Sequence, residues 1–185
     1  MVTRMGRQPR GDVPGGTYHV TTRTAGPVRL FQDDLDRADF CGRLARTIKR
    51  FRWTCHAFCL MPTHYHLLIT VPANSLQVGM QRLNGQYAQN FNRQHGRSGH
   101  LHGDRYHAEP VLTDGHMLYA FRYTARNPLE ANLCESPAEW LWSSYRGTVG
   151  LDGRFAFVDD TAIRDYFGGD TDEALRLIRA FVEGS

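Results

Sequence analysis

Residues 53–71, WTCHAFCLMPTHYHLLITV, constrain the fold of this chain more than any other stretch. Two runs rich in β-branched, aromatic and apolar residues, 53–60 and 64–71, flank a turn at Pro62 and Thr63. That pattern predicts two strands joined as a hairpin. The second run carries two imidazoles, His64 and His66, inside an otherwise apolar strand. Side chains alternate along a strand, so these two share a face about 7 Å apart while Tyr65 points the other way.

The segments around the hairpin set the architecture. Residues 17–23, TYHVTTR, read as a strand. Asp33 or Asp34 can cap a helix whose apolar residues Phe31, Leu35, Ala38, Cys41, Leu44, Ile48 and Phe51 recur in steps of three and four. After the hairpin, Ser75 can cap a second helix with Leu76, Met80, Leu83, Tyr87 and Phe91 on one face, where Tyr87 and Phe91 read as core. Residues 94–107 are Gly-rich and basic and read as a loop, followed by a short strand at 109–112. Thr113 or Asp114 caps a third helix, about 114–127, stopped by Pro128. Further helices are predicted in 137–183, including SPAEWLWSSY and the acidic segment TDEALRLIRAFV. The order β-α-β-β-α-β-α predicts an α+β fold: an antiparallel sheet with helices packed on it, plus C-terminal helices. Three parts are expected: an N-terminal basic arm (1–16), a main domain (17–133), and a helical extension (134–185) packed on that domain.

Composition narrows the function classes. The 185 residues suit one globular domain. No apolar run approaches the ~20 residues of a membrane helix, so no membrane partner is expected. The N-terminus MVTRMGRQPRGD has no apolar stretch behind its arginines and does not read as a signal peptide. The four cysteines form no CxxC pair and read as reduced thiols, which fits a cytoplasmic location. Charge is unevenly spread. Residues 1–60 carry 11 basic and 5 acidic side chains, whereas residues 131–185 carry 5 and 10. All basic residues but Lys49 are arginine, whose guanidinium grips phosphate bidentately. A GC-rich coding bias accounts for the arginines equally well.

Two readings of the histidine pair stay open at this point: one divalent ion held between two imidazoles, or two hydrogen-bonded, partly buried rings. Nine histidines in this length produce about 0.4 His-x-His patterns by chance. A second copy, His100-Leu101-His102, lies between glycines in the predicted loop, where nothing fixes both rings on one face. On the third helix, Leu118, Phe121 and Ala125 define an apolar stripe, and Tyr123 and Asn127 fall about 180° from it, four residues apart. Were that face to meet the histidines, a phenol, an amide oxygen and two imidazoles would converge. Tyr119 and His116 share that side, so helical geometry alone does not choose between the tyrosines.

At these residues the chain resembles the REP-associated tyrosine transposases, within the HUH (His-hydrophobe-His) single-tyrosine transposases. The likeness runs through RQPRGDVPGGTYHVTTR, LFQDDLDRADF, HAFCLMPTHYHLL, MQRLNGQYAQNFNRQHGRSGHL, RYTARNPLEANL, WLWSSYRG and DYFGGDTDEALRLIRAFVEG, in that order. It implies an HUH domain with a ferredoxin-like, RRM-like core. It implies Mg²⁺ or Mn²⁺ held by His64, His66 and Asn127, with Tyr123 as the nucleophile. Hard ions favour oxygen, so two ring nitrogens need the amide oxygen, water and a substrate phosphate to complete the site. The implied partner is single-stranded or hairpin DNA of repeated palindromes, cleaved and rejoined through a 5′-phosphotyrosine by a monomer or homodimer. No GxxxxGK[ST] loop is present, in keeping with chemistry that needs no ATP. Candidate DNA contacts are Arg4, Arg7 and Arg10 on the arm, and Arg93, Arg97 and Arg105 around the loop.

The chain departs from the family's usual pattern at three positions: Thr63 in place of Asn, Asp104 in place of Gly, and Glu130 in place of Arg. The last two remove positive charge where phosphates would lie. They keep open a hairpin-binding protein that has lost cleavage. A third class is a structural zinc at His64 and His66, which needs two more ligands that no Cys or His spacing supplies.

Overall fold

The computed structural model describes residues 15–26, 28–153 and 155–184. The chain runs β1 (Gly16–Arg23), α1 (Asp34–Phe51), β2 (Thr54–Leu60), β3 (His64–Val71), α2 (Leu76–Gln94), β4 (His107–Val111) and α3 (Asp114–Glu130). A 3₁₀ turn (Pro137–Glu139) and three helices follow: α4 (Tyr145–Thr148), α5 (Thr161–Asp165) and α6 (Asp172–Glu183). The strands form one antiparallel sheet in the order β2-β3-β1-β4. The α+β architecture expected from the element order is the one observed.

Alternation along the strands divides the interior into two cores. Tyr18, Val20, Tyr65, Leu67 and Ile69 face α1 and α2, where they meet Phe40, Leu44, Met80, Leu83, Tyr87 and Phe91. On the opposite face, Ala57 and Leu68 meet Met117, Ala120, Phe121 and Ala125 of α3, with Tyr145, Ile163, Ile178 and Val182 behind. Helices therefore cover both faces of the sheet. The hairpin turn closes through Met61 N–H to His64 O at 2.8 Å, and a bulge at His56 breaks the β2–β3 register.

Local signals account for most element boundaries. Asp33 accepts from Asp36 N–H (2.9 Å), Thr113 from His116 N–H (3.2 Å) and Thr171 from Ala174 N–H (3.1 Å), each capping the helix that follows. Three expectations need correction. Ser75 stands at the N-cap of α2 without capping it, because its Oγ accepts from Trp53 Nε1 (2.9 Å) and donates to Pro72 O (2.9 Å). Helix α3 continues through Pro128. The missing N–H falls in the last turn, which closes through Ala131 N–H to Asn127 O (3.1 Å) and Leu133 N–H to Pro128 O (2.9 Å). SPAEWLWSSY contributes one 3₁₀ turn and, at Tyr145, the start of α4, and the stretch between them lies along the outer edge of β2. Leu60 N–H donates to Trp142 O (2.9 Å), Ser144 N–H to Phe58 O (3.0 Å), and Phe58 N–H to Ser144 Oγ (3.0 Å). The segment thus satisfies the groups an edge strand leaves unpaired. Among the described residues, no helix is long and apolar enough to cross a membrane.

Candidate functional site

The site lies on the α3 face of the sheet. Pairing of Thr21 with His66, and of His107 with Thr21, puts His19, Thr21 and Arg23 of β1, His64 and His66 of β3, and His107 and Glu109 of β4 on that face. Helix α3 crosses above them. The Tyr123 ring meets the His66 ring edge-on, with centroids 5.4 Å apart, and lies 5.8 Å from His19. His64 and His66 are 5.0 Å apart. Asn127, buried in the same helix, places Oδ1 3.2 Å from His64 Nε2. The face of α3 that carries Tyr123 and Asn127 therefore does meet the histidine face.

The helix reaches this arrangement differently from the single-stripe expectation. Its buried residues are Met117, Ala120, Phe121, Thr124, Ala125, Asn127 and Pro128, and Leu118 is only half-buried. Helix α3 is packed between the sheet and α6, so two of its sides are covered. Arg122 Nε donates to Phe181 O (2.8 Å) and Arg126 Nη1 to Val182 O (2.7 Å). Geometry also separates the two tyrosines. Tyr123 touches both His19 and His66, whereas Tyr119 is 68% exposed and stacks outside Tyr123 at 6.5 Å.

Burial lowers His66, His64 and His19 from the ordinary imidazole value. Desolvation drives His66 down to about 2, helped by its neighbours His19, His64 and Arg23. Desolvation also lowers His64, with Arg23 adding to the effect and the Asn127 bond opposing it. His19 is lowered by burial as well, opposed by Glu109 and reinforced by His107 and His116. A neutral imidazole keeps one lone pair for a cation.

The donor set fits a hard divalent ion. His66 Nε2 is buried without a partner. His64 Nε2 and Asn127 Oδ1 lie 3.2 Å apart, so an imidazole nitrogen and an amide oxygen stand together on the side of the cleft where a cation would be held. Among the described residues, no group of three or more His, Cys, Asp or Glu is arranged to hold a metal ion. Two imidazoles and an amide are fewer donors than a hard divalent ion takes up, so an ion held there would need further oxygen ligands. That lack of further nitrogen or sulfur ligands also weighs against the structural-zinc reading. Cys55 and Cys59 are buried thiols whose ionisation burial suppresses, and Cys59 Sγ donates to Met61 Sδ (3.8 Å).

The other candidates separate clearly. Arg4, Arg7 and Arg10 lie outside the described residues. Arg93 hydrogen-bonds Asn90 at the end of α2, the Arg97 guanidinium covers the Phe91 ring at 5.8 Å, and Arg105 is exposed. None of these three lines the histidine cleft. Their loop is fastened beside the end of β1, by Ala25 N–H to Leu101 O (3.0 Å) and Gly103 N–H to Arg23 O (3.2 Å). Of the second His-x-His pair, His100 is exposed and His102 is half-buried beside Thr24, so the two rings do not form a pair. The residues that sequence reasoning passed over are His19, Thr21, Arg23, His107 and Glu109, which line a cleft of about 370 Å³ with His66, Tyr119 and Tyr123. The period-two pattern of TYHVTTR was the available signal, since it sets His19, Thr21 and Arg23 on one face.

The chain is similar in fold to a solved REP-associated tyrosine transposase bound to a REP hairpin, with a TM-score of 0.67 at 16% identity, covering 90% of this chain and 98% of that one. A proposed transposase from Deinococcus radiodurans R1 matches more loosely, with a TM-score of 0.43 at 17% identity over 69% of this chain and 98% of the other. No curated protein matches the sequence. The family model described as "Transposase IS200 like" matches residues 12–126, well over half of the chain, including His19, the histidine pair and Tyr123. The protein belongs to the IS200-like transposases.

Proposed function

We propose that this protein is a metal-dependent transposase that cleaves and rejoins single-stranded DNA beside palindromic, REP-like hairpins through a 5′-phosphotyrosine. The observation that carries this reading is the seating of the Tyr123 ring against His66, 5.4 Å between centroids, with Asn127 of the same helix on His64. The REP hairpin in the structural relative supports hairpin DNA as the substrate class.

His64, His66 and Asn127 are the residues to hold Mg²⁺ or Mn²⁺. Bound there, the ion supplies charge stabilisation at the scissile phosphate. The chain's own residues do the rest. Tyr123 Oη attacks phosphorus, its proton passing to solvent, and the P–O3′ bond breaks. The departing strand keeps the oxygen and takes up a proton as a 3′-OH. Reversal by a 3′-OH reseals the strand, so the phosphodiester's energy is conserved in the tyrosyl link. The half-buried Tyr123 ring, edge-on against both His19 and His66, holds the phenol in one place, which favours an in-line approach. Arg23, on the same face, provides a fixed positive charge for a phosphate.

A second reading is a hairpin-binding protein that no longer cuts. It is favoured by Asp104, exposed in the basic loop, and by Glu130, whose carboxylate pairs with Arg126 at 3.4 Å.

Labelled single-stranded hairpins incubated with the protein and Mn²⁺, then run on a denaturing gel, test both. A covalent adduct that is lost in Tyr123→Phe and kept in Tyr119→Phe is the expected result. An adduct that survives Tyr123→Phe overturns the assignment of the nucleophile. Tight hairpin binding by the unaltered chain with no adduct establishes the second reading instead.

A further inference from the structure

His66 is 1% exposed, and its two ring nitrogens have opposite surroundings. Nδ1 lies 3.0 Å from His19 Nε2 and 3.2 Å from Thr21 Oγ1. Nε2 is buried and has no partner. A neutral imidazole carries one N–H and one lone pair. An N–H on Nε2 would be a buried donor with no acceptor, whereas an N–H on Nδ1 has two acceptors within reach. Both acceptors come from β1, two residues apart on one face, and Thr21 pairs directly with His66 in the sheet. The His19 ring lies nearly parallel to the His66 ring, at 17° and 5.2 Å.

From this we infer that His19 and Thr21 are positioning residues. They hold His66 in its Nδ1–H tautomer, with the Nε2 lone pair free toward the metal site. The role rests on the metal reading above. For His19 to accept, its own Nε2 must be unprotonated and its remaining proton must sit on Nδ1. The usual partner behind a metal-binding histidine is a carboxylate or a carbonyl. Here a second imidazole takes that place, with a hydroxyl as its reserve. The redundancy predicts that neither partner alone is indispensable. His19→Leu leaves Thr21 as acceptor, Thr21→Val leaves His19, and only the double variant strips Nδ1 of both.

The test uses the full chain with ¹⁵N-labelled histidines, and it separates this inference from the metal reading. In metal-free protein at pH 7.5, the long-range ¹H–¹⁵N spectrum should show His66 with a protonated Nδ1 and a bare Nε2. The His66 resonances are identified by their loss in His66→Asn. The proportion of that tautomer should fall in the His19→Leu, Thr21→Val double variant and return in the His19→Gln, Thr21→Val double variant, where the introduced amide oxygen replaces Nε2 as the one remaining acceptor. Mn²⁺ titration followed by electron paramagnetic resonance should show about 10- to 100-fold weaker binding in the His19→Leu, Thr21→Val double variant, with the His19→Gln, Thr21→Val double variant within a few-fold of the unaltered chain. A His66 protonated on Nε2 in the unaltered chain overturns the inference, as does a His19→Leu, Thr21→Val double variant that keeps both the tautomer and the Mn²⁺ affinity. Failure of the unaltered chain to bind Mn²⁺ removes the metal reading, while the tautomer measurement still decides this one.

Discussion

Gly79, inside α2, lies against the benzo ring of the Trp53 indole. A Cβ at this position would stand 2.2 Å from Cζ2 and 2.6 Å from Cη2. The indole cannot swing aside freely, because Trp53 is 4% exposed and its Nε1 donates to Ser75 Oγ. Alanine gains about 1 kcal/mol of helix propensity over glycine, but overpacking a filled core costs about 1–3 kcal/mol. A 2.2 Å approach puts this site in the upper part of that range, about 2–3 kcal/mol. Gly79→Ala is therefore expected to lower stability by a net of roughly 1–2 kcal/mol in urea unfolding, and an unchanged or raised midpoint would show that the indole yields. Single residues were also where sequence reasoning was most uneven. Asp33 and Thr113 were legible as caps because a cap is a contact within a few residues. The suspicion attached to Tyr123 and Asn127 needed only helical spacing. The alternation in TYHVTTR puts His19 on a face with Thr21 and Arg23, but its partner His66 stands 47 positions away, and that side-chain contact is not legible in any local pattern.

Among the elements, α3 depends on α6 for its seat. Ile178 and Val182 are fully buried against the α3 core, and two arginines of α3 donate to backbone carbonyls at the end of α6. Ile178→Ala should cost about 2–5 kcal/mol, the range for emptying a buried isoleucine site. The neighbouring Leu177→Ala, at a position 44% exposed, should cost far less. Thermal unfolding of the two variants gives the comparison. If α6 holds α3 in place, adduct formation should also fall in Ile178→Ala at temperatures where the protein is still folded. The helix expected over TDEALRLIRAFV is present as α6. Stripe spacing misread α3, because a helix covered on two sides has no single apolar stripe. The helix expected over WLWSS is absent; there Trp140 Nε1 reaches Leu60 O at 3.1 Å and Trp142 Nε1 reaches Asp34 at 2.7 Å. Those partners belong to distant segments, and no local pattern announces them.

For the whole molecule, the histidines set a pH dependence of stability. Burial lowers His19, His56, His64, His66 and His102 below the ordinary value near 6.5. The unfolded chain protonates these rings as pH falls below that value, while the folded chain resists. The unfolded state then binds more protons, so stability is full above about pH 6.5 and declines below it. His66 alone, held near 2, contributes a slope approaching 1.4 kcal/mol per pH unit. Urea unfolding in EDTA should show little change from pH 7.5 to 6.5 and a loss of at least about 1 kcal/mol from 6.5 to 5.5. A stability that rises on acidification would mean that these rings pick up protons in the native state.

The phenol, both imidazoles and the amide all come from one polypeptide, and α6 fastens the helix that carries two of them. A centre built that way has a kinetic signature. Strand scission by such a chain should be first order in protein, with the same turnover per molecule at nanomolar and micromolar concentration. A centre completed by a helix exchanged between copies would instead lose specific activity on dilution.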